Sequence, residues 1–111
     1  MDKKYHILVV DDEVSMRELL DVLLAKQGYQ VSEARNGKQA LKMIQKNNYD
    51  LILSDIRLGD ITGLEVLTEA KQKNPDTVVI IISAYSTTEI AVKAMIPSLK
   101  FLIIRFSFGL C

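Results

Sequence analysis

Four apolar runs in this chain stop at a polar residue able to take part in phosphate chemistry. His6 to Val10 runs into Asp11-Asp12, Leu51 to Ser54 into Asp55, Val78 to Ile82 into Ser83, and Phe101 to Ile104 into Arg105. Carboxylates crowded together at neutral pH repel one another and need a cation or a proton. A few carboxylates combined with water and a phosphate suit Mg²⁺ better than a dedicated Ca²⁺ cage. A remaining carboxylate can then act as a covalent phosphoryl acceptor, in a transfer governed mainly by positioning and charge neutralisation. Asp55 stands alone at the end of its run and is the candidate nucleophile. Asp11 and Asp12 are the candidate metal holders, with the Ser83 hydroxyl and the Arg105 cation completing the set.

That chemistry requires the four run ends to share one rim, and the intervening sequence supplies the elements to do it. His6–Val10 reads as a strand buried on both faces. From Val14 the period changes to a helical one, with Val14, Leu19, Leu20, Leu23 and Leu24 on a stripe and Gly28 as the stop. Gln30–Ala34 alternates as a short strand. Asn36-Gly37 marks a turn, and Ala40, Leu41 and Ile44 mark a second helix ending near Asn47-Asn48. Leu51–Ser54 is a third strand. Gly63 precedes a third helix carrying Leu64, Val66, Leu67 and Ala70, stopped by Asn74-Pro75. Val78–Ile82 is the most β-branched run and predicts a central strand. Thr87 or Thr88 caps a fourth helix through Met95, and Phe101–Ile104 is a fifth strand.

This βα alternation predicts an α/β fold with a parallel sheet covered by helices and right-handed crossovers. In open sheets of this type ligands bind beyond the carboxyl ends of the strands, where the four polar residues lie. The chain reads as a single domain over 1–111, with residues 96–111 atypical. Pro97 breaks the fourth helix, no acidic residue follows Glu89, and Arg105 to Cys111 carries no helical stripe. A final helix is therefore expected to be missing or irregular, leaving one face of the sheet partly uncovered.

Composition narrows the function classes. At 111 residues and 12.5 kDa the chain is long enough for one core without staples. Lys plus Arg and Asp plus Glu number 14 each, which argues against nucleic acid or an acidic membrane as the main partner. No stretch approaches the length needed to span a bilayer. The single cysteine, Cys111, excludes an internal disulfide and fits a cytoplasmic setting.

The segments HILVVDDE, YDLILSDIRLGDITGLEVL and VVIIISAYSTTEIAVKAM, spread from about Tyr5 to Met95, resemble the receiver domain of bacterial two-component response regulators. The SDIRL, NPDTVVIIISAYS and EIAVKAM stretches are most similar to receivers of sigma-54-dependent, nitrogen-regulator-type activators. The resemblance implies a flavodoxin-like (βα)5 three-layer sandwich with sheet order 2-1-3-4-5. It implies that Asp55 accepts a phosphoryl group from a sensor histidine kinase, a signalling role rather than an enzymatic one. It further implies that Asp11, Asp12 and Asp55, with the backbone carbonyl of Arg57, hold Mg²⁺. Ser83 would hydrogen-bond the phosphoryl oxygen and pull its loop inward, biasing a switch around the fourth helix and fifth strand. That face would also serve a dimer, and an output domain or effector lying outside this chain would act on transcription. The chain departs from the family at the fifth strand, where Arg105 stands in the place of a lysine. Pro97-Ser98 replaces a Gly-Ala turn, and the switch aromatic falls near Leu102, one place from Phe101.

Two other readings compete. A degenerate receiver would fold and dock without switching. A Mg²⁺-dependent phosphohydrolase would use an Asp nucleophile too, but its usual aspartates are spaced one residue apart, whereas Asp11 and Asp12 are adjacent. Among the remaining polar residues, His6 is expected to be structural, Asp60 and Lys93 to face solvent, and Gly63 and Pro75 to punctuate the chain.

Overall fold

The computed structural model describes residues 4–83, with Ser83 by its backbone alone, and the backbone of 101–105. In chain order the elements are β1 (His6–Val10), α1 (Val14–Lys26), β2 (Gln30–Ala34), α2 (Gly37–Lys46), β3 (Leu51–Asp55), α3 (Gly63–Lys73), β4 (Val78–Ser83) and β5 (Phe101–Arg105). The strands form one parallel sheet in the order β2-β1-β3-β4-β5, as expected. The predicted fourth helix and the segment after Arg105 lie outside the described residues.

Alternation along each strand sorts the core onto two faces. Leu8 and Val10 of β1, Ile52 of β3, and Val79 and Ile81 of β4 pack with Ala40 and Ile44 of α2 and Val66, Leu67 and Ala70 of α3. Ile7, Val9 and Leu53 face the other way, towards Leu20 and Leu24 of α1. The β1 run is continuous in sequence because both of its faces are covered, one by α2 and α3 and the other by α1.

Helix α1 is placed as predicted, but its stripe is narrower. Val14, Leu19 and Leu23 are about half exposed, as is Val22, while Leu20 and Leu24 reach the sheet. Leu19 and Leu23 each sit one residue, and so about 100° of turn, from the residues that pack. The helix rests on one line of leucines and leaves the next in water. Its end is the expected one: Gly28 takes φ +94° after the Gln27 cap, and its N–H bonds the Ala25 carbonyl at 3.0 Å, a conformation suited to glycine.

The other helix starts are side-chain caps. Asn36, expected in a turn, is the N-cap of α2, its Oδ1 accepting from the Gln39 N–H at 2.8 Å. Thr62 caps α3 in a reciprocal box with Glu65, which the Thr-x-x-Glu spacing in the sequence encodes. His6 is structural, as expected. Its Nε2 lies 2.7 Å from Ser32 Oγ, and its ring leans on Tyr49 with centroids 4.6 Å apart. It opens β1, five residues of strand from the acidic rim.

Candidate functional site

Pairing between strands brings the predicted residues to one level. Val10 pairs with Ser54, Asp55 with Ile82, and Ser83 with Arg105. Asp11 continues from β1, with its N–H donating to the Ala34 carbonyl of β2 at 3.2 Å. The carboxyl ends of β1, β3, β4 and β5 therefore form a single rim, and Asp11, Asp12 and Asp55 meet there. One oxygen from each lies within 4.8 Å of the others.

The three acids occupy different settings. Asp11 is buried, at 8 % exposure, and its Oδ1 accepts from the Glu13 N–H at 2.9 Å. Burial raises its pKa from 3.8 to about 6, against the pull of that N–H, and the charges of Asp55, Asp12 and Glu13 push the same way as burial. Asp55 is half-buried at the tip of β3. Its pKa is also raised, first by burial and then by the Asp12 charge, while the Arg57 and Ile56 N–H groups oppose the shift. Asp12 is exposed. A donor set of three carboxylate oxygens with costly unbalanced charge fits a hard divalent cation such as Mg²⁺, with space left for waters or phosphate oxygens.

Arg57 lies just beyond Asp55, and its N–H donates to Asp55 Oδ1 at 3.3 Å. Its backbone also bridges to Thr62, closing a narrow loop, and the Gly63 N–H bonds the Ile56 carbonyl at 2.9 Å. Gly63 is more than punctuation. A Cβ there would strike the Asp55 carbonyl oxygen and crowd Ile56 Cα and Ser54 Oγ, each at 3.1 Å. Helix α3 can begin this close to the end of β3 because residue 63 has no side chain. Ser83 and Arg105 are placed at the rim by their backbone pairing.

Two residues near the site went unassigned at the level of sequence. Arg17, on α1, donates through Nη1 to the Asp11 carbonyl at 2.9 Å and through Nε to Glu33 Oε1 at 3.3 Å. Its distance from Asp11, about a helical turn and a half along the chain, was the available signal. Asp60, expected to face water, is exposed but also bonded. Its Oδ1 accepts from the Gly37 N–H at 3.0 Å and the Ile61 N–H at 2.8 Å, and its Oδ2 from the Lys38 N–H at 3.0 Å. Helix α2 presents free N–H groups at its first turn, and a carboxylate from another loop satisfies them. These bonds, that of Lys38 foremost, hold the Asp60 carboxyl below the ordinary carboxylate range.

Comparisons with known proteins agree with this geometry. The transcriptional regulatory protein ZraR of Klebsiella oxytoca is 45% identical over 89 residues, covering 80% of this chain and 20% of that protein. The chain thus spans about one fifth of the length of the curated relatives it matches. Among solved structures, the response regulator TrrA of Thermotoga maritima, in complex with Mg²⁺-BeF, is 39% identical with a TM-score of 0.78, covering 95% of this chain and 89% of that one. A response regulator of Burkholderia pseudomallei bearing a phosphorylated aspartic acid and a calcium ion is 26% identical with a TM-score of 0.77, covering 90% of this chain and 59% of that one. With residues 7–102 matching the response regulator receiver domain and the sheet order and acidic rim in accord, the chain belongs to the receiver domain family of two-component response regulators.

Proposed function

We infer that the chain is one receiver unit over residues 1–111 and accepts a phosphoryl group on Asp55 from a sensor histidine kinase. The observation that carries this reading is the convergence of Asp11, Asp12 and Asp55 within 4.8 Å at the end of β3. A carboxylate oxygen of Asp55 attacks the phosphorus, the P–N bond to the kinase imidazole breaks, and the imidazole departs with the bonding pair. Asp11, Asp12, Asp55 and the Arg57 carbonyl hold Mg²⁺, which when bound offsets negative charge on the phosphoryl oxygens.

Asp11 restrains the ion from a buried position, fixed through its carboxylate by the Glu13 N–H and through its carbonyl by Arg17. The Arg57 N–H donates to Asp55 Oδ1 at 3.3 Å, which orients the carboxylate that attacks. Ser83 donates its hydroxyl to the transferred group, and Arg105 supplies the rim cation in place of the family lysine. Arg keeps the charge but presents a planar fork instead of a compact ammonium. Ser83 and Arg105 are paired in register, so a shift of one strand end carries to the other. That coupling biases the fourth-helix and fifth-strand face, which we assign to switching and dimerisation.

The chain works on its own carboxylate, not as an enzyme on other molecules, and in the cytoplasm. Its output is transcriptional, through a domain or effector beyond the described residues, as the names of the full-length relatives suggest. Labelling with an acyl phosphate and Mg²⁺ tests the assignment. The parent chain is expected to gain a hydroxylamine-sensitive label and Asp55→Asn none. The same label on Asp55→Asn would sink it.

A further inference from the structure

The loop after Asp55 is held at two ends. At its base Arg57 bridges to Thr62, and the Gly63 N–H bonds the Ile56 carbonyl at 2.9 Å. At its tip the Asp60 carboxylate takes the Gly37 and Lys38 N–H groups of α2, both at 3.0 Å, and the Ile61 N–H of its own loop at 2.8 Å. Packing reinforces the tip. The Ile61 side chain occupies the space that a Cβ on Gly37 would need, so the loop seats on the start of α2 through apolar as well as polar contact. Helix α2 is itself anchored in the core through Ala40 and Ile44. The loop that carries Arg57 is therefore tied, through Asp60, to an element that does not contribute to the acidic rim.

We propose that Asp60 is a positioning residue for the phosphoryl site: by clamping the loop tip to the first turn of α2, it fixes the Arg57 backbone beside Asp55. This inference rests on the reading of Asp55 and Arg57 given above. Arg57 presents its N–H to Asp55 Oδ1 at 3.3 Å, and on that reading its carbonyl would serve the ion, so a tilt of the loop moves both groups together. Groups that hold metal ligands in place from behind commonly alter metal affinity 10- to 100-fold, so about a 10-fold effect is expected for a clamp acting through one backbone ligand.

The test uses the full chain with Asp60→Ala, which removes every acceptor, and Asp60→Asn, which keeps the oxygen facing Gly37 and Ile61. Mg²⁺ binding is measured by calorimetry, labelling by acyl phosphate at saturating Mg²⁺, and amide hydrogen exchange without metal. Asp60→Ala should raise the Mg²⁺ Kd about 10-fold and speed exchange at the Arg57 and Gly63 amides, while exchange in β1 and β3 is unchanged. Asp60→Asn should stay within about threefold of the parent in Kd, below the 10-fold loss, because it keeps the Oδ1 acceptor for Gly37 and Ile61. Unaltered Mg²⁺ affinity and Arg57 protection in Asp60→Ala would overturn the clamp, as would equal losses in both variants that follow global stability. A parent chain that neither binds Mg²⁺ nor labels would refute the assigned function instead, and the Arg57 exchange comparison would still decide whether Asp60 holds the loop.

Discussion

Nη1 of Arg17 donates to the carbonyl oxygen of Asp11 at 2.9 Å, so the first turns of α1 hold the backbone of an acid belonging to the site. The Arg17 side chain is only 15% exposed, and its Nε also reaches Glu33 on β2 at 3.3 Å. One guanidinium therefore links α1, the β1 end and β2. Its planar fork can serve both acceptors, which a lysine cannot do from one ammonium without giving up one geometry. Arg17→Ala should lower stability by about 1.5–3 kcal/mol in urea denaturation, the range for hydrogen bonds made by charged groups. Arg17→Lys should recover part of that loss. A weaker Mg²⁺ affinity should accompany both changes, because Asp11 loses its tether, and unchanged affinity in Arg17→Ala would argue that the Glu13 amide alone suffices.

Asp11 makes the apo chain sensitive to pH in a direction opposite to that of a salt-bridged acid. Its carboxyl titrates at about 6 in the folded chain against an ordinary 3.8, with burial the first cause. Between those values the folded state retains a proton that the unfolded chain has lost, so stability falls as pH rises through the window. Below it both states are protonated and above it both are ionised, so the slope vanishes at each end. Glu33, whose pKa is raised first by its hydrogen bond to Asp21, adds to the same trend. Asp11→Asn should flatten the decline in unfolding free energy measured from about pH 4 to pH 6. For the parent, Mg²⁺ should raise the melting temperature more at pH 7.5 than at pH 5, because the ion competes with the Asp11 proton.

The acidic site was legible because strands buried on both faces read as unbroken apolar runs, and polarity returns where they emerge at the rim. Asp11, Asp12 and Asp55 stand at those points, and the order of elements was enough to bring them together. The face α1 turns to the sheet was less legible. Leu19 and Leu20, like Leu23 and Leu24, form adjacent pairs, and periodicity does not say which member of each faces inward. Only the seating of the helix on Ile7, Val9 and Leu53 selects Leu20 and Leu24. Asp60 was illegible for a different reason. Its partners Gly37 and Lys38 lie 23 and 22 residues away, and backbone N–H groups leave no mark in side-chain chemistry. The Thr62–Glu65 box was written in the sequence as a local spacing, and it sets the start of α3 at Gly63.

That start places Gly63 against the backbone of Asp55, and a single methyl there should reveal how tightly. An added Cβ meets the Asp55 carbonyl oxygen and leaves only 3.1 Å to Ile56 Cα. These are backbone atoms of β3, which is locked between β1 and β4, so neither a rotamer change nor a flexible tip can relieve the contact. Either α3 lifts from the sheet, disturbing Val66 and Leu67 in the core, or the end of β3 moves. Gly63→Ala should therefore cost about 1–3 kcal/mol, the usual range for overpacking, despite the better helix propensity of alanine. If the end of β3 yields, the Asp55 carboxylate moves with it and Mg²⁺ affinity falls. If α3 yields, affinity persists while amide exchange in α3 accelerates. Calorimetry and exchange on one variant separate the two responses, and a chain as stable as the parent would refute the close approach itself.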